Sequence, residues 1–234
     1  MSRNAKKTLF IIILFALSIV IATSAIFHST QGFYKNFVRA KRFFDTGHYE
    51  KSLAYFESAF THCPNRIDLL QYLAWNYSKV GQQNKVAEIL TTMTQINSDD
   101  IKSEKWLADT YYGLKDYAKA EKIYRNIFKK HEDRNVKRSL AEVLVWREEY
   151  SQAIPMLESL FDENQDDLKL IELLADVYSW QKEFVSSIDM YNKLLTMSLK
   201  GEDKKRISFK LAEVYRYNGQ NEEAIKLYEK FFTN

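Results

Sequence analysis

The sequence predicts an all-α chain: one N-terminal transmembrane helix, then a solenoid of about six helix–turn–helix units. Three observations lead there. Alanines recur at a near-constant interval, Ala40, Ala74, Ala108, Ala141, Ala175 and Ala212, spaced 34, 34, 33, 34 and 37 residues apart. Within each interval apolar residues return every three or four positions, as in Tyr117, Ala120, Tyr124 and Ile127, which marks one face of a helix. Finally, 6 glycines and 2 prolines in 234 residues are too few for the corners of a sandwich or barrel.

The elements follow in chain order. Residues 1–7 form a basic tail carrying Arg3, Lys6 and Lys7. Residues 8–27 hold no charge, and twenty helical residues reach about 30 Å, the thickness of a bilayer core. Two readings of this run stay open. It is a retained anchor, or a secretory signal with small-residue cleavage sites around Ala22, Ser24 and Ala25. The run continues past those sites to Phe27, which favours the anchor. Lys35, Arg39, Lys41 and Arg42 make the other flank basic too, so the short tail is assigned to the cytoplasm by its closeness to the span. That gives a single-pass protein of the bacterial inner membrane with its repeats in the periplasm. A short linker, 28–32, precedes the repeats at 33–234.

Four columns define the repeat. Three residues after each alanine stands a large side chain: Phe43, Tyr77, Tyr111, Leu144, Tyr178 and Tyr215. Twelve after comes Ser52, Val86, Ala120, Ala153, Ser187 or Ala224, and sixteen after comes Phe56, Leu90, Tyr124, Leu157, Tyr191 or Tyr228. Small residues let two antiparallel helices cross closely, and bulky ones fill the space above and below the crossing. Gly47, Gly81 and Gly219 supply the left-handed residue that ends the first helix of their units. Lys115, Glu148 and Lys182 stand there in the third, fourth and fifth units, so those turns are expected to stop differently. Three extra residues around Gly201-Glu-Asp203 are expected to lengthen the join before the last unit, and Pro155 to bend its helix.

These columns resemble the tetratricopeptide repeat (TPR) family, whose 34-residue helix–turn–helix unit has small residues at its eighth and twentieth places. With Ala40 as an eighth place, units start near 33, 67, 101, 134, 168 and 205. The resemblance implies a right-handed α-solenoid. It departs from the family at the fourth place, which lacks tryptophan throughout, and near the thirty-second, where only Pro64 matches.

Little here suggests chemistry. His28, His48, His62 and His131 form no helical pair and no HExxH motif, so no metal site is expected. A single cysteine, Cys63, excludes a disulfide framework, and its place before Pro64 at a unit boundary argues against a nucleophile. No two glycines stand close enough for a phosphate loop. A net charge of +3 does not call for nucleic acid. No enzyme activity and no cofactor are expected.

The resemblance instead implies binding on the first helices. Their ninth places hold Lys41, Trp75, Asp109, Glu142, Asp176 and Glu213, and the twelfth and thirteenth include Phe44, Tyr112, Trp146, Trp180 and Tyr217. Trp75, Asp109, Tyr112, Glu142, Trp146, Asp176, Trp180, Glu213 and Tyr217 are therefore the candidate groove. Acids flanked by aromatics suit an extended basic peptide. The competing reading is that these acids are solvated and that Trp146 and Trp180 pack between units. At the other end Leu227, Tyr228, Phe231 and Phe232 are expected to form an uncovered apolar face, open to self-association. The implied function is a membrane-tethered scaffold or adaptor for protein–protein interaction. The layout resembles repeat arrays of bacterial envelope machines for export, secretion or maturation. The alternative is an exported peptide-binding or chaperone-like protein freed by signal cleavage.

Overall fold

The computed structural model describes the backbone of residues 3–232; the side chains of 1–11, 25, 28, 29 and 231–234 lie outside the described residues. Among the described residues the chain forms twelve α-helices and no strand. They are α1 (Arg3–Asp45), α2 (Tyr49–Phe60), α3 (Ile67–Lys79), α4 (Gln83–Ile96), α5 (Ile101–Gly113) and α6 (Tyr117–Lys130), then α7 (Arg134–Trp146), α8 (Tyr150–Glu163), α9 (Leu168–Trp180), α10 (Phe184–Thr196), α11 (Gly201–Tyr217) and α12 (Asn221–Phe232). The chain is an all-α helical repeat. It divides into two compact units, Met1–Leu114 and Lys115–Asn234.

The small-against-bulky columns are the core of both units. Ala40, Ala74, Ala108, Ala141, Ala175 and Ala212 are all fully buried. So are Ser52, Val86, Ala120, Ala153 and Ser187 in the third column, and Phe56, Leu90, Tyr124, Leu157 and Tyr191 in the fourth. Two of the small residues are serines, and each has a use for its hydroxyl. Ser52 Oγ donates to the Ala40 carbonyl and Ser187 Oγ to the Ala175 carbonyl, both at 2.8 Å. These bonds tie the two helices of a hairpin where they cross, at a net gain of about 1 kcal/mol each. Asn76, within α3, is likewise wholly buried.

Helix starts have side-chain reasons. Asp100, Asp133 and Asp167 precede α5, α7 and α9, and their carboxylates accept from backbone N–H groups of the first turn. The polar runs that end α4 and α8 therefore also begin the helices that follow.

The turns correct one expectation. Lys115, Glu148 and Lys182 take φ values of 61°, 60° and 66°, against 77°, 78° and 79° at Gly47, Gly81 and Gly219. Non-glycine residues thus adopt the same left-handed stop as glycine. The hydrogen bonds agree: Gln82 N–H donates to the Tyr77 carbonyl at 2.9 Å, Glu149 to Leu144 at 2.9 Å and Glu183 to Tyr178 at 2.8 Å. A bond from five residues back, beside a left-handed residue, is a Schellman closure.

The join before the last repeat is also not a loop. Its three extra residues fall within α11, which has seventeen residues where α3, α5, α7 and α9 have thirteen. Nearly one turn is added, so Ala212 keeps its place in the core. α8 likewise runs through Pro155 as one element.

The single-pass localisation drawn from residues 8–27 is corrected. Among the described residues no helix is long and apolar enough to cross a membrane. The run is the leading part of α1, a continuous 43-residue helix that passes through 28–32, expected as a linker, and on past Lys35, Arg39, Lys41 and Arg42. The periplasmic placement falls with the single-pass localisation. The side chains of the basic tail at 1–7 lie outside the described residues.

Candidate functional site

The nine groove candidates are divided between the two units. Trp75, Asp109 and Tyr112 lie in the first unit, and Glu142, Trp146, Asp176, Trp180, Glu213 and Tyr217 in the second. In the first unit, Trp75 packs edge-on to Tyr72, with ring centres 5.4 Å apart. Tyr72 also stacks on Phe56 and lies under the Lys41 ammonium at 5.1 Å. Asp109, one helical turn after Lys105, accepts from its ammonium at 2.7 Å.

The second unit carries a regular aromatic pattern. Each first helix ends in an aromatic residue that rests on the aromatic opening the second helix of the preceding repeat. Trp146 stacks on Tyr117 with centres 5.9 Å apart and planes 6° from parallel. Trp180 lies on Tyr150 at 5.7 Å, and Tyr217 on Phe184 at 6.3 Å. Despite this support the three remain 59%, 51% and 57% exposed. They bridge neighbouring repeats and present a face to solvent at once. Tyr117, Tyr150 and Phe184 are absent from the sequence-based candidates, although each stands two residues after a left-handed turn residue, a repeating position that the sequence displays.

The acids are already engaged within the chain. Asp176 accepts from Lys210 at 2.7 Å and from the buried Tyr191 hydroxyl. Burial and the Asp176 charge push the Tyr191 phenol well above its usual range. Glu213 accepts from Arg216 and from the Tyr228 hydroxyl, and these bonds hold its carboxyl below the ordinary value. Glu142 accepts from Arg138 at 3.2 Å, and Arg138 also reaches Asp167 at 2.6 Å. Each acid is therefore balanced by a base from its own or the next repeat.

Three candidates do converge. Glu142, Trp146 and Trp180 line an open cleft of about 280 Å³ on α7 and α9, together with Val145, Glu148, Tyr150 and Leu173. Val145 and Leu173 give it an apolar lining, three aromatic rings wall it, and two carboxylates stand among them. Burial, then the nearby Glu148 charge, raises the Tyr150 phenol. Such a lining favours a side chain that is apolar along its length and positive at its tip.

At the C-terminal end two of the four expected apolar residues have described contacts. Leu227 packs against the buried cluster of Ile188, Tyr191 and Leu211. Tyr228 sits edge-on to Phe209 at 5.7 Å while its hydroxyl binds Glu213. Both are partly buried, and the side chains of Phe231 and Phe232 lie outside the described residues.

Comparison with known proteins agrees with this geometry. Models of the tetratricopeptide repeat match residues 106–133 and 209–231. No curated protein matches the chain. Among solved structures, MamA (residues 41 to the end) from Desulfovibrio magneticus RS-1 superposes with a TM-score of 0.63 at 15% identity, covering 71% of this chain and 93% of its own. YrrB, described as a TPR protein with an unusual peptide-binding site, gives 0.61 at 14% identity over 75% and 89%. PilF of Pseudomonas aeruginosa gives 0.54 at 14% identity over 88% and 95%. Two segments of the chain thus match tetratricopeptide repeat models, and its helical hairpins share the fold of these solved structures.

Proposed function

We propose that this chain is a protein-interaction scaffold that holds an extended segment of a partner against the first helices of its second unit. The observation that carries this reading is the row of half-exposed aromatics, Trp146, Trp180 and Tyr217, each braced by a second ring. Large aromatic side chains dominate binding energy at interfaces, and rings already fixed in place lose little entropy on binding. The peptide-binding site named for YrrB, a protein of like fold, supports a peptide as the occupant. Trp75 offers a partly exposed ring of the same kind in the first unit, braced by Tyr72.

The acids contribute less to binding than the aromatics. Asp109, Asp176 and Glu213 already have intramolecular bases, so a basic partner has to displace Lys105, Lys210 or Arg216 to reach them. Exchange of one partly exposed ion pair for another is worth well under about 1 kcal/mol.

Photo-crosslinking tests the reading. A benzophenone amino acid in place of Trp180 should yield discrete adducts with a partner in the native cell, and the same group in place of Lys122, on the exposed side of α6, should not. Adducts at Lys122 but none at Trp180 would move the interface off the first helices.

A further inference from the structure

We propose that the cleft between Trp146 and Trp180 receives a single arginine side chain from the bound partner segment. This rests on the peptide-binding reading above. A volume of about 280 Å³ suits one long side chain rather than a helix or a flat protein surface. Val145 and Leu173 match the methylene stem. The rings of Trp146, Trp180 and Tyr150 provide aromatic surface for a cation, the first stacked on Tyr117 and the second tilted against Tyr150.

The charge of the cleft comes from Glu142 and Glu148, and its lining contains no cation. Arg138 binds Glu142 from outside that lining, and shares its charge with Asp167. Glu148 is the telling residue. Six equivalent turn positions take a left-handed conformation, and glycine occupies three and lysine two. The one acid among them is the one that lines the cleft. A carboxylate held there by the backbone adds negative charge at the rim without a flexible segment to order. Arginine suits this site better than lysine, since its guanidinium is planar, weakly hydrated and stacks on aromatic rings, whereas an ammonium is compact and strongly hydrated.

The test uses the full chain labelled with 5-fluorotryptophan, whose four tryptophans, Trp75, Trp106, Trp146 and Trp180, give separate fluorine signals assigned through Trp→Phe variants. Capped Gly-Ser-X-Ser-Gly peptides are titrated with X as arginine, lysine, citrulline or leucine. The arginine peptide should shift Trp146 and Trp180 and leave Trp75 and Trp106 in place. It should do so at about one tenth the concentration needed for citrulline, its uncharged isostere. Glu142→Gln with Glu148→Gln should abolish that preference.

An equal response to citrulline or to lysine would overturn the arginine assignment. Leucine shifting the two signals where arginine does not would overturn it while leaving a peptide site with an apolar anchor. Silence from all four peptides, with crosslinks still forming at Trp180, would overturn the arginine site alone; silence without crosslinks would overturn the scaffold reading as well.

Discussion

At the residue scale, Lys115, Glu148 and Lys182 hold a backbone conformation that normally falls to glycine. A side chain there costs about 1–2 kcal/mol, and the Schellman hydrogen bonds and repeat packing offset it. The sequence therefore shows a turn only at Gly47, Gly81 and Gly219, and hides three equal ones behind charged residues. Lys182→Gly should stabilise the second unit by about 1 kcal/mol. Urea unfolding followed by Trp146 and Trp180 fluorescence, in a Trp75→Phe, Trp106→Phe background, measures it; an unchanged midpoint would show that the turn is unstrained. Ionisable residues give a second prediction. Burial alone would raise the Glu172 carboxyl, but hydrogen bonds from Arg206 and Lys210 outweigh it and leave the group below its ordinary value of 4.5. A carboxyl depressed by folding stabilises fully above its unfolded value, and that contribution is lost as pH falls through the folded one. The second unit should therefore weaken as pH drops below about 4.5, and Glu172→Gln should be less stable at neutral pH and flatter in acid. Parallel pH profiles for variant and parent would remove Glu172 from the account.

At the element scale, most of the helices were legible because one constraint repeats. A small residue at a crossing and a bulky one beside it leave the same mark every 34 residues, and α3, α5, α7 and α9 begin at Ile67, Ile101, Arg134 and Leu168 in step with it. The misreadings came from signals with two physical meanings. Gly201-Glu-Asp203 looks like a turn, yet acids in a first turn favour a helix N-terminus, and three residues add nearly a whole turn without shifting Ala212. An uncharged run suits a bilayer, yet it is equally the front of a longer helix. A ring at a helix start resembles ordinary core, so the supporting role of Tyr117, Tyr150 and Phe184 is not legible in the sequence. Two substitutions test the element reading. Gly201→Ala should stabilise α11 by about 0.5–1 kcal/mol, because an added Cβ meets no atom within 4 Å. Asp133→Ala should cost about 1 kcal/mol through loss of the cap to Asn135 and Val136, and Asp133→Asn should restore most of it. Thermal melts compare all three with the parent, and equal loss in the alanine and asparagine variants would refute the cap.

At the scale of the whole molecule, stability in a repeat array is built from each hairpin and its contacts with the next, so damage at one crossing should stay local. The two compact units supply the contrast. Ala141 is fully buried at the crossing of α7 with α8, and a leucine there must push the helices apart at a cost of about 1–3 kcal/mol. The aromatic row that carries the proposed binding face is built on the same hairpins, so its geometry depends on those crossings. Hydrogen–deuterium exchange of the Ala141→Leu variant, resolved by helix, is the most direct measurement. Faster exchange through α7, α8 and α9, with α2, α3 and α4 protected as in the parent, is the expected result. An unchanged pattern would mean that the alanines do not set the helix crossings, and uniform deprotection of both units would contradict nearest-neighbour stacking.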